Sequence, residues 1–116
     1  MTQSQREALL DLLIAAIFVD SQLSIKEDEA LDYAFQSIGW DGVNPRHVFI
    51  CSSMTRARRV RDSDEATARY INSRVTVFAD EDSRSMAIDL LERVFVADGL
   101  AESEAEFLAR VKACFS

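Results

Sequence analysis

The chain has 116 residues, 48% of them hydrophobic and 28% charged, which is typical of one folded soluble domain and excludes a chain that is disordered throughout. The formal net charge is -7, and it argues against general binding to nucleic acid or to anionic membrane surfaces, because both interactions need a positive protein surface. With 3 Gly and 1 Pro, few positions can interrupt a helix, so the composition favours an all-α fold over one built on tight β-turns.

The first predicted helix covers residues 4–19, where leucine, isoleucine and phenylalanine recur at intervals of three and four residues. Its most apolar part, residues 9–19, contains Asp11 and is eleven residues long, whereas a membrane span needs about 20 apolar residues. We therefore expect a buried helix and no membrane span. The preceding residues contain no basic segment and no cleavage site, so we expect no signal peptide and a cytoplasmic protein. Cys51 and Cys114 form no CxxC pair, which predicts reduced thiols and no zinc or disulfide framework.

The second predicted helix runs from Ser24 to about Ile38 and ends at Gly39. Ser24 and Glu27 fit a capping box, in which a hydroxyl and a carboxylate each bind an otherwise unpaired backbone N–H. A loop follows, and Pro45 marks the start of a third helix over about residues 45–58. The residues expected to face the core in these two helices are Leu31, Ala34, Phe35, Ile38, Val48, Cys51 and Met54.

A fourth helix is predicted to start at Ser63, with acidic residues at the positive end of its dipole. Residues 75–78 have a strand-like composition, but we predict that the helix continues through them, because an isolated strand would have no partner. A fifth helix is predicted over residues 84–97 and a sixth over 102–115. The residues expected to face the core here are Ala66, Tyr70, Ile71, Val75, Phe78, Ala87, Leu90, Leu91, Val94, Phe95, Phe107, Leu108, Val111, Cys114 and Phe115.

The chain contains one internal repeat. Residues 94–108 match residues 17–31 at six of fifteen positions when the earlier segment is shifted forward by 77 residues. Both copies consist of an apolar helix end, a short acidic turn, and a second helix that opens with carboxylates. This repetition predicts two related helical hairpins within a single all-α bundle of about six or seven helices, spanning residues 1–116.

The repeated turn resembles the signature of the tellurite-resistance TerB-like family, an Ala-Asp-Gly turn followed by an apolar residue and a glutamate. The matching residues are Asp20, Leu23, Ser24 and Glu27 in the first copy and Asp98 and Gly99 in the second. Ser21 departs from the signature, where glycine is usual, and the interval from Asp98 to Glu104 is one residue shorter than that from Asp20 to Glu27. The resemblance covers residues 5–38 and 84–115. It implies a compact helical bundle, a stress-response or metal-resistance context, and an acidic surface patch that holds divalent cations.

The two acidic turns supply four candidate cation ligands: Asp20, Glu27, Asp98 and Glu104. If the related hairpins pack about a pseudo-twofold axis, these carboxylates converge, and such hard oxygen ligands suit Ca²⁺ or Mg²⁺. The alternative is that the aspartates end helices and the glutamates cap the following ones.

By analogy, the resemblance implies a non-enzymatic binding or scaffolding module that engages a divalent cation or a basic partner protein. A metal-dependent enzyme with Glu27 or Glu104 as the base, and a purely structural oligomerisation domain, remain open. The oligomeric state is open as well.

Four other features each allow two interpretations. His47 and Cys51 lie four residues apart and could present two metal ligands on one helix face, although two ligands are too few for a zinc site. The alternative is that His47 is a partly buried histidine without a metal. The arginines at positions 56, 58, 59 and 61 either bind phosphate or an acidic partner, or form a solvated helix end. The acidic residues at 80–82 either bind a cation or form a solvated turn. Trp40 is either a packing residue or an exposed interface anchor.

Overall fold

The computed structural model describes residues 2–17, 25–40, 45–60, 62–98 and 102–115, with side chains described in these ranges except at 17, 25–28, 30, 94–98 and 102–104. These ranges form six α-helices: α1 (Gln3–Ile17), α2 (Ile25–Ser37), α3 (Arg46–Val60), α4 (Asp64–Val75), α5 (Glu81–Asp98) and α6 (Glu102–Phe115). No strand occurs in the described ranges, so the predicted all-α class is confirmed.

The helix α1 lies at the centre of the bundle. It packs against each of the five other helices, and every residue from 8 to 16 is at most 8% exposed. A helix that is apolar on all sides is stable only when neighbours cover all of its faces. The leucine-rich sequence of α1 therefore dictates its central place. Asp11, which is 1% exposed, is the charged residue that this arrangement buries.

The end of α2 follows the predicted glycine signal. Gly39 has φ +68°, a left-handed conformation that costs glycine little. Its N–H donates to the carbonyl of Gln36 at 3.3 Å, and the N–H of Trp40 donates to the carbonyl of Phe35 at 3.1 Å, which together make a Schellman motif. The turn places the Trp40 ring 5.1 Å from Phe35 and 5.0 Å from Phe49, measured between ring centroids. Trp40 is thus a packing residue that joins α2 to α3.

The face of α3 that packs on the core differs from the predicted one. Val48 is 56% exposed and Cys51 is exposed, and of the three predicted residues only Met54 packs against the core. The residues of α3 that are buried are Ser53 and Ala57. The prediction is wrong because it counts apolar side chains, whereas small residues bring α3 close to α1 and the Ser53 hydroxyl bonds to Asp11.

The helix α4 starts as predicted but ends earlier. The Ser63 hydroxyl accepts a hydrogen bond from the Ala66 N–H at 3.2 Å and caps the first turn. The helix stops at Val75, so the predicted continuation through Phe78 is wrong. β-Branched side chains at 75–77 lose rotamer freedom in a helix, and the exposed Thr76 hydroxyl donates to the Ser73 carbonyl at 2.9 Å. Phe78 is nevertheless fully buried, as predicted.

The helix α5 begins three residues before its predicted start because Asp80 caps it. Oδ1 of Asp80 accepts a hydrogen bond from the Ser83 N–H at 2.6 Å. This bond, and a second one from the Ser83 side chain, hold the pKa of Asp80 below its ordinary value. Glu81 and Asp82 are exposed in the first turn, where they suit the helix dipole. The three acidic residues at 80–82 are therefore solvent-exposed, as the second interpretation predicts, but Glu81 and Asp82 belong to α5 and not to a turn before it.

The helix α6 has the predicted bounds, and Phe107, Leu108 and Val111 are buried on the predicted face, while Cys114 is exposed. The Cα radius of gyration is 12.9 Å, close to the roughly 13 Å of a compact domain of about this length. Among the described helices, none has both the length and the apolar character needed to cross a membrane.

Candidate functional site

The predicted cation ligands belong to the two inter-helix turns. Asp20 lies outside the described residues, and so do the side chains of Glu27, Asp98 and Glu104. The helix bounds still locate three of the four positions along the chain: Asp98 is the last residue of α5, and Glu27 and Glu104 are each the third residue of their helices. Within the part of the chain whose side chains are described, no group of three or more histidine, cysteine, aspartate or glutamate residues could hold a metal ion.

A polar cluster inside the bundle does lie within the described residues. Asp11 is 1% exposed, and its Oδ1 accepts hydrogen bonds from the Ser53 hydroxyl and from Nη2 of Arg56, both at 2.7 Å. Oδ2 accepts a hydrogen bond from Nη1 of Arg74 at 3.1 Å. Through these bonds, one carboxylate of α1 ties together α3 and α4. We call the four residues Asp11, Ser53, Arg56 and Arg74 the Asp11 cluster.

The charges of the Asp11 cluster are unevenly exposed. The Asp11 side chain is 1% exposed, whereas those of Arg56 and Arg74 are 37% and 33% exposed. A carboxylate without water needs paired cations, because an isolated buried charge is strongly unfavourable. Burial alone lowers the pKa of Arg56, but the hydrogen bond and the negative charge of Asp11 outweigh it and raise that pKa above its ordinary value. The Arg56 guanidinium therefore stays charged while part of it faces solvent.

Tyr70 of α4 lies beside the Asp11 cluster. Burial raises the pKa of the Tyr70 phenol above its ordinary value, and the charge of Asp11 adds to this effect, whereas Arg56 and Arg74 oppose it. The Tyr70 hydroxyl and Nε of Arg56 are both buried without a hydrogen bond of good geometry to a described residue. The Arg74 guanidinium lies 5.9 Å from the centroid of the Tyr70 ring, within range of a cation–π contact.

A groove between α1, α3 and α4 opens above the Asp11 cluster and has a volume of about 430 Å³. We call it the arginine groove, and it is lined by Glu7, Asp11, Pro45, Val48, Phe49, Ser52, Arg56 and Arg74. Volumes of a few hundred Å³ are typical of sites for small ligands. Its wall is apolar and partly exposed, and its floor carries two guanidinium groups that are anchored by a buried acid.

Two smaller cavities lie elsewhere on the bundle. One, of about 340 Å³, contacts Arg6, Ile38 and Met86 where α1 begins, α2 ends and α5 passes. In it, Nε of Arg6 already donates to the Ile38 carbonyl at 3.0 Å. The other, of about 240 Å³, contains the exposed ion pair between Arg46 and Asp32. Neither cavity contains a buried charge comparable to Asp11.

Asp11 is not among the site residues predicted from the sequence, although a sequence signal for a buried ion pair exists. A single aspartate in an otherwise apolar helix needs a cation, and the arginines of the third helix are candidates. Arg58 and Arg59 are exposed near the end of α3, as the interpretation of a solvated helix end predicts. Arg56 instead bonds to Asp11 of α1, which neither interpretation predicts, and Arg61 lies outside the described residues. His47 and Cys51 are both exposed, so the partly buried histidine is wrong.

Comparison of the chain with protein-family models, with curated proteins and with solved structures finds no match. The helices and the Asp11 cluster define the described part of the chain as an all-α bundle with a charged interior between α1, α3 and α4. The TerB-like resemblance rests on the turn residues of the sequence. The cytoplasmic location and the single-domain assignment stay predictions.

Proposed function

We propose that the chain is a non-enzymatic binding or scaffolding module of TerB-like type, whose acidic inter-helix turns bind a divalent cation such as calcium or magnesium. The observation that carries this proposal is the repeated turn, because it gives two helices the same acidic start. Glu27 and Glu104 are each the third residue of their helices, and Asp98 ends the helix before the second turn. Carboxylate oxygens are the ligands that hard cations prefer, so the donor set fits such an ion.

The packing of the helices supports two related hairpins. The helix α1 packs against α2, and α5 packs against α6. In addition, α2 packs against α5 and α1 packs against α6, so the first two and the last two helices share an interface. These two contacts are the ones expected if the hairpins are related by a pseudo-twofold axis.

Capping alone accounts for the first glutamate better than for the second. Glu27 follows Ser24 by three residues, as a capping box requires, whereas the residue three before Glu104 is Ala101, whose methyl side chain accepts no hydrogen bond. An acidic residue in the first turn still gains about 0.3–1 kcal/mol from the helix dipole. Helix capping therefore explains the presence of Glu104 less well than that of Glu27, and cation binding is a further explanation for Glu104.

The negative charge of the chain supports the same proposal. Four carboxylates that converge would repel each other, and a bound cation or a basic segment of a partner protein would neutralise them. The formal net charge of -7 favours both kinds of partner over anionic ones. A stress-response or metal-resistance context is part of the proposal, and it comes from the TerB-like resemblance.

Thermal unfolding in the presence of Ca²⁺, Mg²⁺, Mn²⁺ and Zn²⁺ tests this function. An ion that binds only the folded state stabilises it by about 2.7 kcal/mol at a concentration of about 100 times Kd. For a chain of this size, that corresponds to a rise in Tm of roughly 10 °C. Asp98→Asn should abolish the rise, whereas Asp82→Asn, an exposed acid in the first turn of α5, should preserve it. No change in Tm at millimolar metal would favour the capping alternative.

A further inference from the structure

The arginine groove places charged hydrogen-bond donors beside apolar surface. Its floor contains Arg56 and Arg74, which are both bonded to the buried Asp11. Its wall contains Val48, which is 56% exposed, and Phe49, which is partly buried against the core. Sites for small ligands commonly combine such an apolar lining with a few oriented polar groups.

The two arginines have more N–H donors than their protein partners use. Arg56 donates through Nη2 to Asp11 and through Nη1 to Ser52, while Arg74 donates through Nη1 to Asp11 and through Nε to Ser73. A guanidinium group has five N–H donors, so partners among the described residues use four of about ten. About a third of each arginine side chain is exposed, 37% for Arg56 and 33% for Arg74. An anion can therefore bind both without displacing Asp11.

The charges around the groove favour a singly charged anion. Arg56 and Arg74 are balanced by the carboxylates of Asp11 and Glu7, so the lining is neutral overall. A phosphate dianion would add two negative charges beside Glu7 in a chain whose net charge is already -7. A carboxylate adds one, and its two oxygens match the planar geometry of a guanidinium group.

We propose that the arginine groove binds a carboxylate joined to an apolar group, with the carboxylate on Arg56 and Arg74 and the apolar group on Val48 and Phe49. This ligand is either a small carboxylic acid or the C-terminus of a peptide that ends in an apolar residue. Asp11 is a positioning residue, because it holds both guanidinium groups toward the groove from below. The site is separate from the acidic turns and does not depend on the proposed cation binding.

Calorimetric titration of the full chain with N-acetylphenylalanine and with its amide tests the proposal. The two probes have the same apolar group and differ in the carboxylate, so we expect the acid to bind at least about tenfold more tightly. Inorganic phosphate should bind more weakly than the acid. Equal binding of the acid and the amide, or no binding of the acid at about 10 mM, would overturn the proposal.

Three variants locate the binding. Arg74→Gln should weaken binding of N-acetylphenylalanine about tenfold. Arg110→Gln, which removes an exposed ion pair between α6 and Asp64 of α4, should leave that binding unchanged. Because Arg74→Gln also removes a partner of the buried Asp11 and lowers stability, Val48→Glu is the second test. Val48 is 56% exposed, so Val48→Glu should leave Tm unchanged. The negative charge that it adds should weaken binding of N-acetylphenylalanine. Unchanged affinity in both groove variants would contradict the assignment.

A pentapeptide that ends in phenylalanine separates the two sources of the carboxylate. If the pentapeptide with a free C-terminus binds about tenfold more tightly than N-acetylphenylalanine, the groove is a site for peptide C-termini. Equal affinity assigns it to small carboxylic acids, and both results require the carboxylate site. Tight binding of the same peptide with an amidated C-terminus would contradict it.

Discussion

Asp11→Asn is the change that most directly tests how the interior of the bundle is held together. Asparagine keeps the size of the side chain but loses its charge, and one of the two acceptor oxygens becomes an NH₂ group. The remaining oxygen can accept either from Ser53 and Arg56 or from Arg74, because these donors approach different oxygens of Asp11. At least one guanidinium group then faces an amide donor.

The expected loss of stability follows from the burial of Asp11. Breaking a buried ion pair by removing one partner costs about 3–5 kcal/mol, and a hydrogen bond to a charged group contributes about 1.5–3 kcal/mol. Because Arg56 and Arg74 remain 37% and 33% exposed, water recovers part of this energy for the arginines. We therefore expect a loss of about 3 kcal/mol, which corresponds to a decrease in Tm of roughly 12 °C.

Urea unfolding followed by circular dichroism measures this loss against a matched control. Asp32→Asn removes an aspartate that forms a 3.0 Å ion pair with Arg46, but the Asp32 side chain is 61% exposed. We expect that change to cost at most about 1 kcal/mol, as is usual for exposed ion pairs. If the free energy of unfolding fell equally in the two variants, the Asp11 cluster would not be the polar centre of the fold.

Three further predictions concern single residues in the described part of the chain. Gly39→Ala should cost about 1–2 kcal/mol in urea unfolding, because φ is +68° and an added Cβ meets no atom within 4 Å, so backbone strain alone acts. The phenol of Tyr70 should titrate with a pKa above the ordinary value in an ultraviolet titration, in which Tyr70→Phe identifies its signal. Asp11→Asn should lower the pKa of Tyr70, because it removes a nearby negative charge. The pKa of Asp80 is lowered in the folded state, so its contribution to stability is present above the unfolded pKa and is lost as pH falls through the folded pKa. The difference in Tm between the wild type and Asp80→Ala should therefore shrink in acid. Asp82→Ala leaves the Asp80 cap in place and is the matched control.

The order and type of the helices could be predicted from the sequence because burial and capping act locally. Apolar residues three and four apart predict α1 and α6, and Ser63 and Gly39 mark a helix start and a helix end where the structure has them. The early start of α5 was also within reach of such reasoning, since Asp80 is a favourable cap.

The polar interior could not be predicted in the same way. Asp11 bonds to residues that are 42, 45 and 63 positions away, and helical periodicity contains no information on such partners. The inward face of α3 depends on the same contact, since Ser53 lies inside to reach Asp11 while Val48 faces the groove. Sequence reasoning predicts the helices, but tertiary contacts decide which face of α3 is buried.

The central functional proposal is that the two acidic turns bind one divalent cation together. The most direct measurement is a two-dimensional ¹H–¹⁵N spectrum of the full chain titrated with Ca²⁺. We predict that amide signals of residues 20–27 and 98–104 shift together and follow one dissociation constant. Shifts at one turn alone, or no shift at either turn at millimolar Ca²⁺, would contradict the proposal.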